Sequence, residues 1–527
     1  MDGSIAIRAL RTLACWVRSS ATARATARSV RAIVGLGGPG AESHQPSRRD
    51  SAGGSLVVGL AVRALRPAIE VASRCLSVTL SVADESVTGA TVRSLARSFE
   101  RLRRTGPGGS SLAVNAAAMI LDFVLNEPLA SGVAFALCVL PFAPTTGLVA
   151  LCVFLGGFQA LRLIHAPRSH AGEARSPRGG VSDLPTALFA LAVLLSAAAS
   201  VSRRASMPAL VLWAAYAALY TATVTLRPSK RAVKAMAAAL LISAFIVSGL
   251  GIVQFIRGGE TSASWIDTKV FEDVKTRVYS VFDNPNMLAE FLAFALPLGV
   301  ALILGNPRSA AMLFYVPAVV AAAACLALTY SRGGWVAAFI GVVAVILTKS
   351  RKLAVAFLVL MLVAAPMLPQ SIQTRAITAL TMEDSSSRYR LTIWKSAARM
   401  ARDYWPIGVG LGSGAFAYVY PAYEIAGTPA AHTHNLYLQL LVETGIPGLL
   451  LFLWLLLCFV REVAGAGRTR DPLIFAGLAG GVVGQVVHGV FDNIWYSPKN
   501  VFMFWAVLGL TLAMARAGRA DREGRKP

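Results

Sequence analysis

Long apolar runs separated by short polar segments dominate the chain from about residue 129 onward. Each of these runs reaches the roughly 17–25 residues that an apolar helix needs to cross a bilayer. There are twelve: 129–146, 148–164, 183–201, 207–226, 232–255, 286–305, 310–330, 333–349, 352–368, 444–460, 472–491 and 499–516. The pattern predicts an all-α polytopic membrane protein with about twelve transmembrane helices and a large external loop containing short helices.

The segments between and beyond these runs give the predicted domain organisation. Residues 1–115 are polar and basic, and we expect a cytoplasmic extension that is amphipathic or disordered. Residues 116–368 would hold transmembrane helices 1–9, and residues 369–433 would form the external loop. Residues 434–516 would hold helices 10–12, followed by a basic cytoplasmic tail at 517–527.

The distribution of charge predicts the orientation of the chain. Fifty Lys and Arg face 27 Asp and Glu, which gives a formal net charge of +23. This excess could indicate nucleic-acid binding, but most basic residues lie in alternate loops and at the two ends, as the positive-inside rule describes. No nucleic-acid partner is therefore expected, and both termini are predicted to be cytoplasmic. The predicted external loops are 141–147, 202–206, 257–284, 331–334, 369–433 and 492–500.

The long external loop is predicted to contain an amphipathic helix. Serines 385–387 can cap a helix that starts near Arg388, and Pro406 would end it. We expect this helix to lie flat on the outer leaflet. The glycine-rich segment 408–414 is a turn whose amides can approach another group, although it lacks the lysine of a phosphate-binding loop. The apolar face of the helix comprises Trp394, Ala397, Ala398 and Ala401, and the basic face comprises Lys395, Arg399 and Arg402.

His434 is the strongest candidate for catalysis, because it stands just outside an apolar run and histidine exchanges protons near neutral pH. The alternative is a capping or interface histidine. Asn435 could orient a ring or bind a sugar, whereas His432 is expected to take no part in catalysis. His488 and Asp492 are four residues apart and are expected to share a helix face. They are secondary candidates, with a structural hydrogen bond as the alternative.

Four arginines near the predicted outer face could bind phosphate, because a guanidinium is always charged and can grip phosphate oxygens with two donors. Each also has a structural reading: an interface anchor, a loop salt bridge or a lipid-headgroup contact. Together with His434 they suggest binding of a lipid-linked diphosphate, with the histidine taking a proton from an acceptor hydroxyl. No Asp-x-Asp pair occurs in the external loops, so neither metal nor cofactor is required. The four are Arg277, Arg332, Arg388 and Arg390.

Several motifs within about residues 130–515 resemble the O-antigen ligase/O-antigen polymerase superfamily of bacterial envelope proteins. Jointly they are specific to the superfamily and poorly specific to a member, since relatives described as bicarbonate transporters share some of them. His434, Asn435, Gly445 and Gly448 fit the ligase pattern, but Leu451 replaces a third glycine. The motifs are residues 282–289, 329–333, 388–394, 406–412, 432–439 and 443–448.

The resemblance implies a twelve-helix enzyme of the bacterial cytoplasmic membrane with a periplasmic loop. Its donor would be an undecaprenyl diphosphate-linked glycan, and it would use a histidine and arginines without a metal. His434 matches the catalytic histidine of the family. Either Arg388 or Arg390, and one of Arg277 and Arg332, would match the arginines. The acceptor, which could be a glycan, a lipid or a protein, stays open.

Other functions remain open on the sequence alone. Within the enzyme class, a polymerase of O-antigen or exopolysaccharide and a protein O-oligosaccharyltransferase would differ from a ligase only in the acceptor. A transporter of bicarbonate or another small solute should hold polar residues near the middle of the membrane in broken helices. Here the spans carry few charges and the candidate residues cluster at one face, which favours an enzyme. A scaffold recruited by the basic N-terminal arm would need no histidine.

Overall fold

The computed structural model of the protein describes residues 123–164, 179–258, 276–374 and 385–523, apart from 125, 368, 371 and 468. The predicted N-terminal extension, 1–115, lies outside the described residues. So do most of the predicted external loop 257–284 and the last four residues of the predicted tail.

The described part of the chain is built from α-helices, and no β-strand occurs in it, so the prediction of an all-α membrane fold is confirmed. Short 3₁₀ turns follow two of the helices, at Ala365–Met367 and Tyr420–Ala422. The helices are α1 Pro128–Val139, α2 Thr145–Ile164, α3 Asp183–Ala198, α4 Arg203–Val224, α5 Lys230–Ile256, α6 Pro285–Gly305, α7 Met312–Leu328, α8 Arg332–Lys349, α9 Arg351–Ala364, α10 Ser385–Asp403, α11 Gly412–Val419, α12 Leu436–Ala464, α13 Pro472–His488 and α14 Pro498–Glu523.

Each of the twelve predicted apolar runs contains one helix, namely α1–α9 and α12–α14. Among the described residues, seven of these helices are long and apolar enough to cross a membrane: α2, α4, α5, α6, α8, α12 and α14. The other five are shorter, from 12 to 17 residues. The number of twelve crossings therefore stays a prediction. The largest difference in bounds is at α12, which begins eight residues before the predicted run.

Helices α8 and α13 approach each other closely because small residues line their contact. The α-carbon of Gly484 lies against the backbone carbonyl of Ala337, and Gly480 lies against Gly341. Lipid tails are as apolar as the helices, so such association depends on close packing between backbones. The contact brings Arg332, the first residue of α8, to the same end of the bundle as His488, the last residue of α13.

Replacing Gly484 with valine is expected to lower the stability of the bundle, because the new Cβ would collide with a backbone carbonyl that cannot rotate away. Overpacking of this kind costs roughly 1–3 kcal/mol. Thermal unfolding in detergent would show the loss as a lower Tm. Gly249→Val in α5 is the matched control, since a Cβ there meets nothing within 4 Å. Equal Tm values for the two variants would contradict the packing argument.

Contacts between loops gather the predicted external segments at one end of the bundle, here termed the site end. The Lys499 ammonium donates to the carbonyl of Pro141 over 2.6 Å. The amide of Val201 donates to the carbonyl of Val409 over 3.0 Å. Residues 276–286 and 329–334 also meet there, as do residues 432–435 and 488–496, as the next section describes. The grouping agrees with the predicted alternation of loops.

The opposite end of the bundle is held by a buried ion pair. The guanidinium of Arg516 donates to Glu462 over 3.1 Å and also pairs with Asp183. The side chain of Glu462 is fully buried and accepts a 2.7 Å hydrogen bond from the Ser182 hydroxyl. These contacts tie α3, α12 and α14 together at the end away from the site. Removal of one partner would leave a buried charge uncompensated.

Helix α12 is broken near its start, and the glycine-rich segment 408–414 fits into the break. Gly445 has a φ of 69°, a left-handed value that favours glycine. The amides of Val409 and Gly410 donate to the carbonyls of Val442 and Glu443, over 2.9 and 3.3 Å. The glycine-rich amides thus approach another group as predicted, and that group is the broken turn of α12. Their hydrogen bonds therefore serve the fold and not a phosphate.

The predicted loop helix exists as α10, but its apolar face does not point toward lipid. Ile393, Ala397, Met400 and Ala401 are buried in a separate apolar cluster with residues of α11 and α12 such as Phe416 and Val442. The expectation that this helix lies flat on the outer leaflet is therefore wrong, because protein already covers its apolar face. Ala398, placed on that face by the sequence, is exposed, and Trp394 is half-buried.

Candidate functional site

A buried carboxylate, Asp492, lies at the centre of a polar cluster at the site end. Its Oδ1 is 3.0 Å from Nδ1 of His434, and its Oδ2 accepts a 2.6 Å hydrogen bond from Nδ2 of Asn286. A guanidinium nitrogen of Arg390 lies 3.5 Å from the same Oδ2. Only 7% of the Asp492 side chain is exposed. Three distant parts of the chain thus meet on one carboxylate.

The opposing influences on Asp492 leave it charged. Burial alone would raise its pKa, but the hydrogen bond with His434 and the positive charge of Arg390 outweigh burial. The pKa of Asp492 is therefore held well below its usual range. An ionised carboxylate only accepts hydrogen bonds, so the proton between the two groups belongs to Nδ1 of His434. In the neutral form of the ring, the other nitrogen, Nε2, then carries the lone pair.

His434 is held in one orientation by its surroundings. Its backbone has a φ of 50°, a left-handed value that is uncommon outside glycine. The indole N–H of Trp394 donates to the preceding carbonyl of Thr433 over 2.9 Å, and the amide of Leu436 donates to the carbonyl of Gly489 over 2.7 Å. A quarter of the His434 side chain remains exposed. The ring is therefore fixed on one side and accessible on the other.

His432 packs beside His434 and stays uncharged. Its Nδ1 accepts a 3.2 Å hydrogen bond from the backbone amide of His434, and the ring centroids are 4.0 Å apart. The ring of Tyr496 lies on its other side, 4.1 Å away between centroids. Burial lowers the pKa of His432 to about 3, and repulsion from Arg390, and from His434 whenever that ring is protonated, acts in the same direction. His432 therefore shapes the site as a neutral ring.

Arg277 reaches the cluster through Asn286. Its Nε donates to the carbonyl of Thr329 over 2.9 Å, and an Nη donates to Oδ1 of Asn286 over 3.2 Å. Arg277 is buried, with 8% of the residue exposed. The structural alternative for Arg277 was a loop salt bridge with Asp273, and Asp273 lies outside the described part of the chain. The arrangement connects Arg277 to Asp492 with a single amide between them.

Arg390 and Arg388 are two residues apart on α10 but lie on different sides of it. Arg390 faces Asp492, with 20% of its side chain exposed, and its buried Nε–H has no acceptor among the described residues. Arg388 is exposed on the opposite side of the helix. Of the two arginines that could match the family position, the structure brings Arg390 into the cluster and leaves Arg388 outside it.

Arg332 is half-buried at the start of α8, two residues after Tyr330, which has a left-handed φ of 52°. Its neighbour Gly333 packs against the imidazole ring of His488. His488 is buried, and its Nδ1 has no hydrogen-bond partner in the described structure. Arg332 and His488 therefore lie at the edge of the cluster, one on each of the two closely packed helices.

Two expectations about side-chain placement need correction or qualification. His488 and Asp492 do not lie on one helix, because α13 ends at His488, although the Asp492 amide still donates to the His488 carbonyl over 3.0 Å. Asn435 caps α12: its side-chain oxygen accepts from the Leu438 amide over 2.9 Å, and its Nδ2 donates to the Val490 carbonyl over 2.9 Å. The hydrogen bonds of Asn435 are thus used by the protein itself.

Three side chains could in principle hold a metal ion, since ligand atoms of His432, His434 and Asp492 lie within 4.8 Å of one another. Both carboxylate oxygens of Asp492 already meet hydrogen-bond donors or a guanidinium. The charge of Arg390 beside the carboxylate opposes a second cation at the same place. The donor set therefore suits an anionic ligand better than a metal.

Asn286 is the functional candidate that the sequence reading did not single out, although its motif was noted. It follows Asn284, whose side chain caps α6 by accepting from the Asn286 amide over 2.8 Å. The cap places Asn286 in the first turn of α6, facing both Arg277 and Asp492. The signal available in the sequence was the polar Asp-Asn-Pro-Asn run immediately before a long apolar helix.

The fold and the cluster define a polytopic helical membrane protein with a basic, histidine-containing site at one end. Residues 317–453 match the profile of the O-antigen ligase family, a segment that includes α10, α11, the first part of α12, Arg332, Arg390 and His434. This segment of the chain is therefore similar to the O-antigen ligase family, and the match supports a membrane enzyme of glycan assembly. No curated protein matches the chain significantly.

Proposed function

We propose that the protein transfers a glycan from an undecaprenyl diphosphate-linked donor to an acceptor hydroxyl at the outer face of the bacterial cytoplasmic membrane. The observation that carries this proposal is the hydrogen bond of His434 to the ionised Asp492, with Arg390 beside the same carboxylate and Arg277 connected to it through Asn286. The pair supplies an oriented base, and the arginines supply positive charge for a diphosphate.

In the proposed reaction, Nε2 of His434 takes the proton of the acceptor hydroxyl. The acceptor oxygen forms a bond to the anomeric carbon of the donor as the bond between that carbon and the diphosphate oxygen breaks. The electron pair of the broken bond leaves on the lipid-linked diphosphate. Asp492 keeps the ring in the required tautomer and stabilises the imidazolium that forms. The imidazolium later returns its proton to water.

Arginine side chains stabilise the leaving group. A charge that develops on diphosphate oxygens is best met by donors already held in place, which costs no reorganisation during the reaction. Arg390 has an unused Nε–H. Arg277 is fixed by two hydrogen bonds of its own. Arg332 stands at the edge of the same cluster and is the third candidate. We assign no metal to the reaction, since the arginines fill the electrostatic role that a metal would have.

Deletion of the gene, with complementation and electrophoresis of surface glycan, tests the proposal. Loss of long-chain glycan that the wild-type gene restores is expected. A ligase would leave polymer on the lipid carrier, whereas a polymerase would leave single repeat units. Unchanged surface glycan in the deletion strain would contradict both, and bicarbonate uptake would then be the next assay.

Replacing Arg390 with lysine is expected to raise the KM for the lipid-linked donor by about tenfold, even though the charge is retained. Lysine offers a point charge and lacks the planar pair of donors that matches two phosphate oxygens. The matched control is Arg399→Lys on the exposed side of the same helix, which should leave the KM unchanged. An unchanged KM in Arg390→Lys would show that Arg390 only neutralises Asp492.

A further inference from the structure

The exposed side of α10 carries a row of basic side chains, here termed the cationic stripe: Arg388, Lys395, Arg399 and Arg402. Their spacings of seven, four and three residues place them within a narrow sector of a helix with 3.6 residues per turn. From Arg388 to Arg402 the stripe is about 21 Å long, at about 1.5 Å per residue. The positive charge is therefore spread along the helix and is not confined to one point.

The cationic stripe is poorly neutralised by the protein. In the described part of the chain, Arg388, Lys395 and Arg399 have no ion-pair partner, and Arg402 has only Asp403, with 3.8 Å between the nearest atoms. The side chain of Arg402 is 89% exposed. Four basic groups on one face repel one another, which disfavours the isolated helix. An anionic partner would relieve this repulsion.

The position of α10 decides which partner can reach the stripe. Its apolar face packs on α11 and on the first turns of α12, before that helix continues past Gly445 into the bundle. The stripe lies on the opposite face and so points away from the membrane-spanning helices. A helix that binds lipid headgroups turns its apolar face into the membrane. Here that face is occupied by protein, which favours a partner that reaches the stripe from the aqueous side.

The stripe also begins beside the site. Arg388 itself faces away from Asp492, but its neighbour Tyr389 lies beside His434, with 6.2 Å between the ring centroids. A polymer that reacts near His434 would therefore have the stripe along its path as it leaves the site. The charges are spread over a length that several sugar units would cover, and they are presented by a rigid helix.

We infer that the cationic stripe binds an acidic glycan, with carboxylate or phosphate groups along its chain, and so guides the polymer to or from His434. The inference rests on the proposed function, because it takes the polymer to be a substrate or product of that site. It narrows the substrate class to glycans with repeated negative charge. Neutral glycans would gain nothing from the stripe.

A binding experiment with the full chain in detergent tests the inference without requiring catalysis. The probes are tetragalacturonate, the neutral maltotetraose, and dihexanoyl phosphatidylglycerol as a soluble lipid headgroup. We expect the wild-type protein and His434→Ala to bind tetragalacturonate equally, with an affinity that falls as salt rises. The triple variant Lys395→Gln, Arg399→Gln, Arg402→Gln should bind it at least tenfold more weakly. Neither protein should bind maltotetraose.

A matched control removes three exposed positive charges elsewhere, in the variant Arg308→Gln, Arg351→Gln, Lys352→Gln. It should bind tetragalacturonate like the wild type, which separates the stripe from net charge. Equal binding by the stripe variant and the wild type would overturn the inference. A stripe variant that loses only the phosphatidylglycerol probe would also overturn it and would assign the stripe to lipid. Binding that persists while glycan transfer is absent would contradict the proposed function alone.

Discussion

Replacing His434 with alanine is expected to abolish glycan transfer while leaving the protein folded and inserted. A positioned general base typically accelerates a reaction by about 10²–10⁴-fold, and no other side chain replaces it here. His432 is the nearest alternative, but its pKa is lowered to about 3, so it is a poor proton acceptor near neutral pH. Transfer by the purified variant, measured with lipid-linked donor, should fall by at least about 100-fold.

The control for this prediction is His432→Ala. That variant removes a neutral ring which contacts His434 through a 3.2 Å hydrogen bond and ring packing. Some loss of orientation is expected, but the base remains, so the rate should fall much less than in His434→Ala. Thermal unfolding and membrane extraction should show that both variants remain folded and inserted. Full activity of His434→Ala, with loss in His432→Ala, would move the base to His432.

The helices of the fold follow from local information, which is why they could be predicted. A run of apolar residues must become a helix in a membrane, because only a helix satisfies all its backbone groups within one segment. Each predicted run accordingly contains a helix. The short helices, such as α1 with 12 residues, show that the apolar pattern predicts the presence of a helix better than it predicts the length of that helix. Whether each crosses the membrane depends on its neighbours and on polar flanks.

The partners within the site could not be predicted from spacing. His434 and Asp492 are 58 residues apart in the sequence, and Asn286 and Asp492 are 206 residues apart. Their meeting depends on the close contact of α8 and α13 and on the turns after α13, which no local pattern shows. Sequence reasoning named His434 and Asp492 but put Asp492 on a helix with His488. It also kept Arg388 and Arg390 equivalent, and only the packing of α10 separates them.

The placement of α10 failed for a related reason. Amphipathic periodicity shows that one face must be covered, but it does not say whether lipid or protein covers it. In this chain the glycine-rich segment and the break at Gly445 bring α11 and the start of α12 under the helix. The same break explains why the amides of the glycine-rich segment bind carbonyls of α12 and not a phosphate. Both features depend on one left-handed residue, Gly445, near the start of an apolar run.

Replacing Asp492 with asparagine is expected to lower kcat by about 100-fold or more, with a smaller effect on the KM for the donor. The amide keeps the size of the side chain but removes the charge that fixes the tautomer of His434 and stabilises the imidazolium. It also leaves Arg390 without its carboxylate partner. Steady-state transfer kinetics would separate the two parameters. Asp403→Asn, which alters an exposed carboxylate paired with the Tyr423 hydroxyl, is the matched control and should leave kcat unchanged.

The pH dependence of stability gives this prediction a second readout. Because the pKa of Asp492 is depressed in the folded protein, its charge contributes stability that is complete above the ordinary carboxyl pKa of about 3.9 and is lost only as the pH falls toward the folded value. The difference in Tm between the wild type and Asp492→Asn should therefore stay constant from about pH 5 to 8 and shrink at lower pH. A difference that instead disappears between about pH 5 and 8 would mean that Asp492 is protonated in the folded state. The carboxylate could not then hold the proton on Nδ1 of His434, and the base would lose its orienting partner.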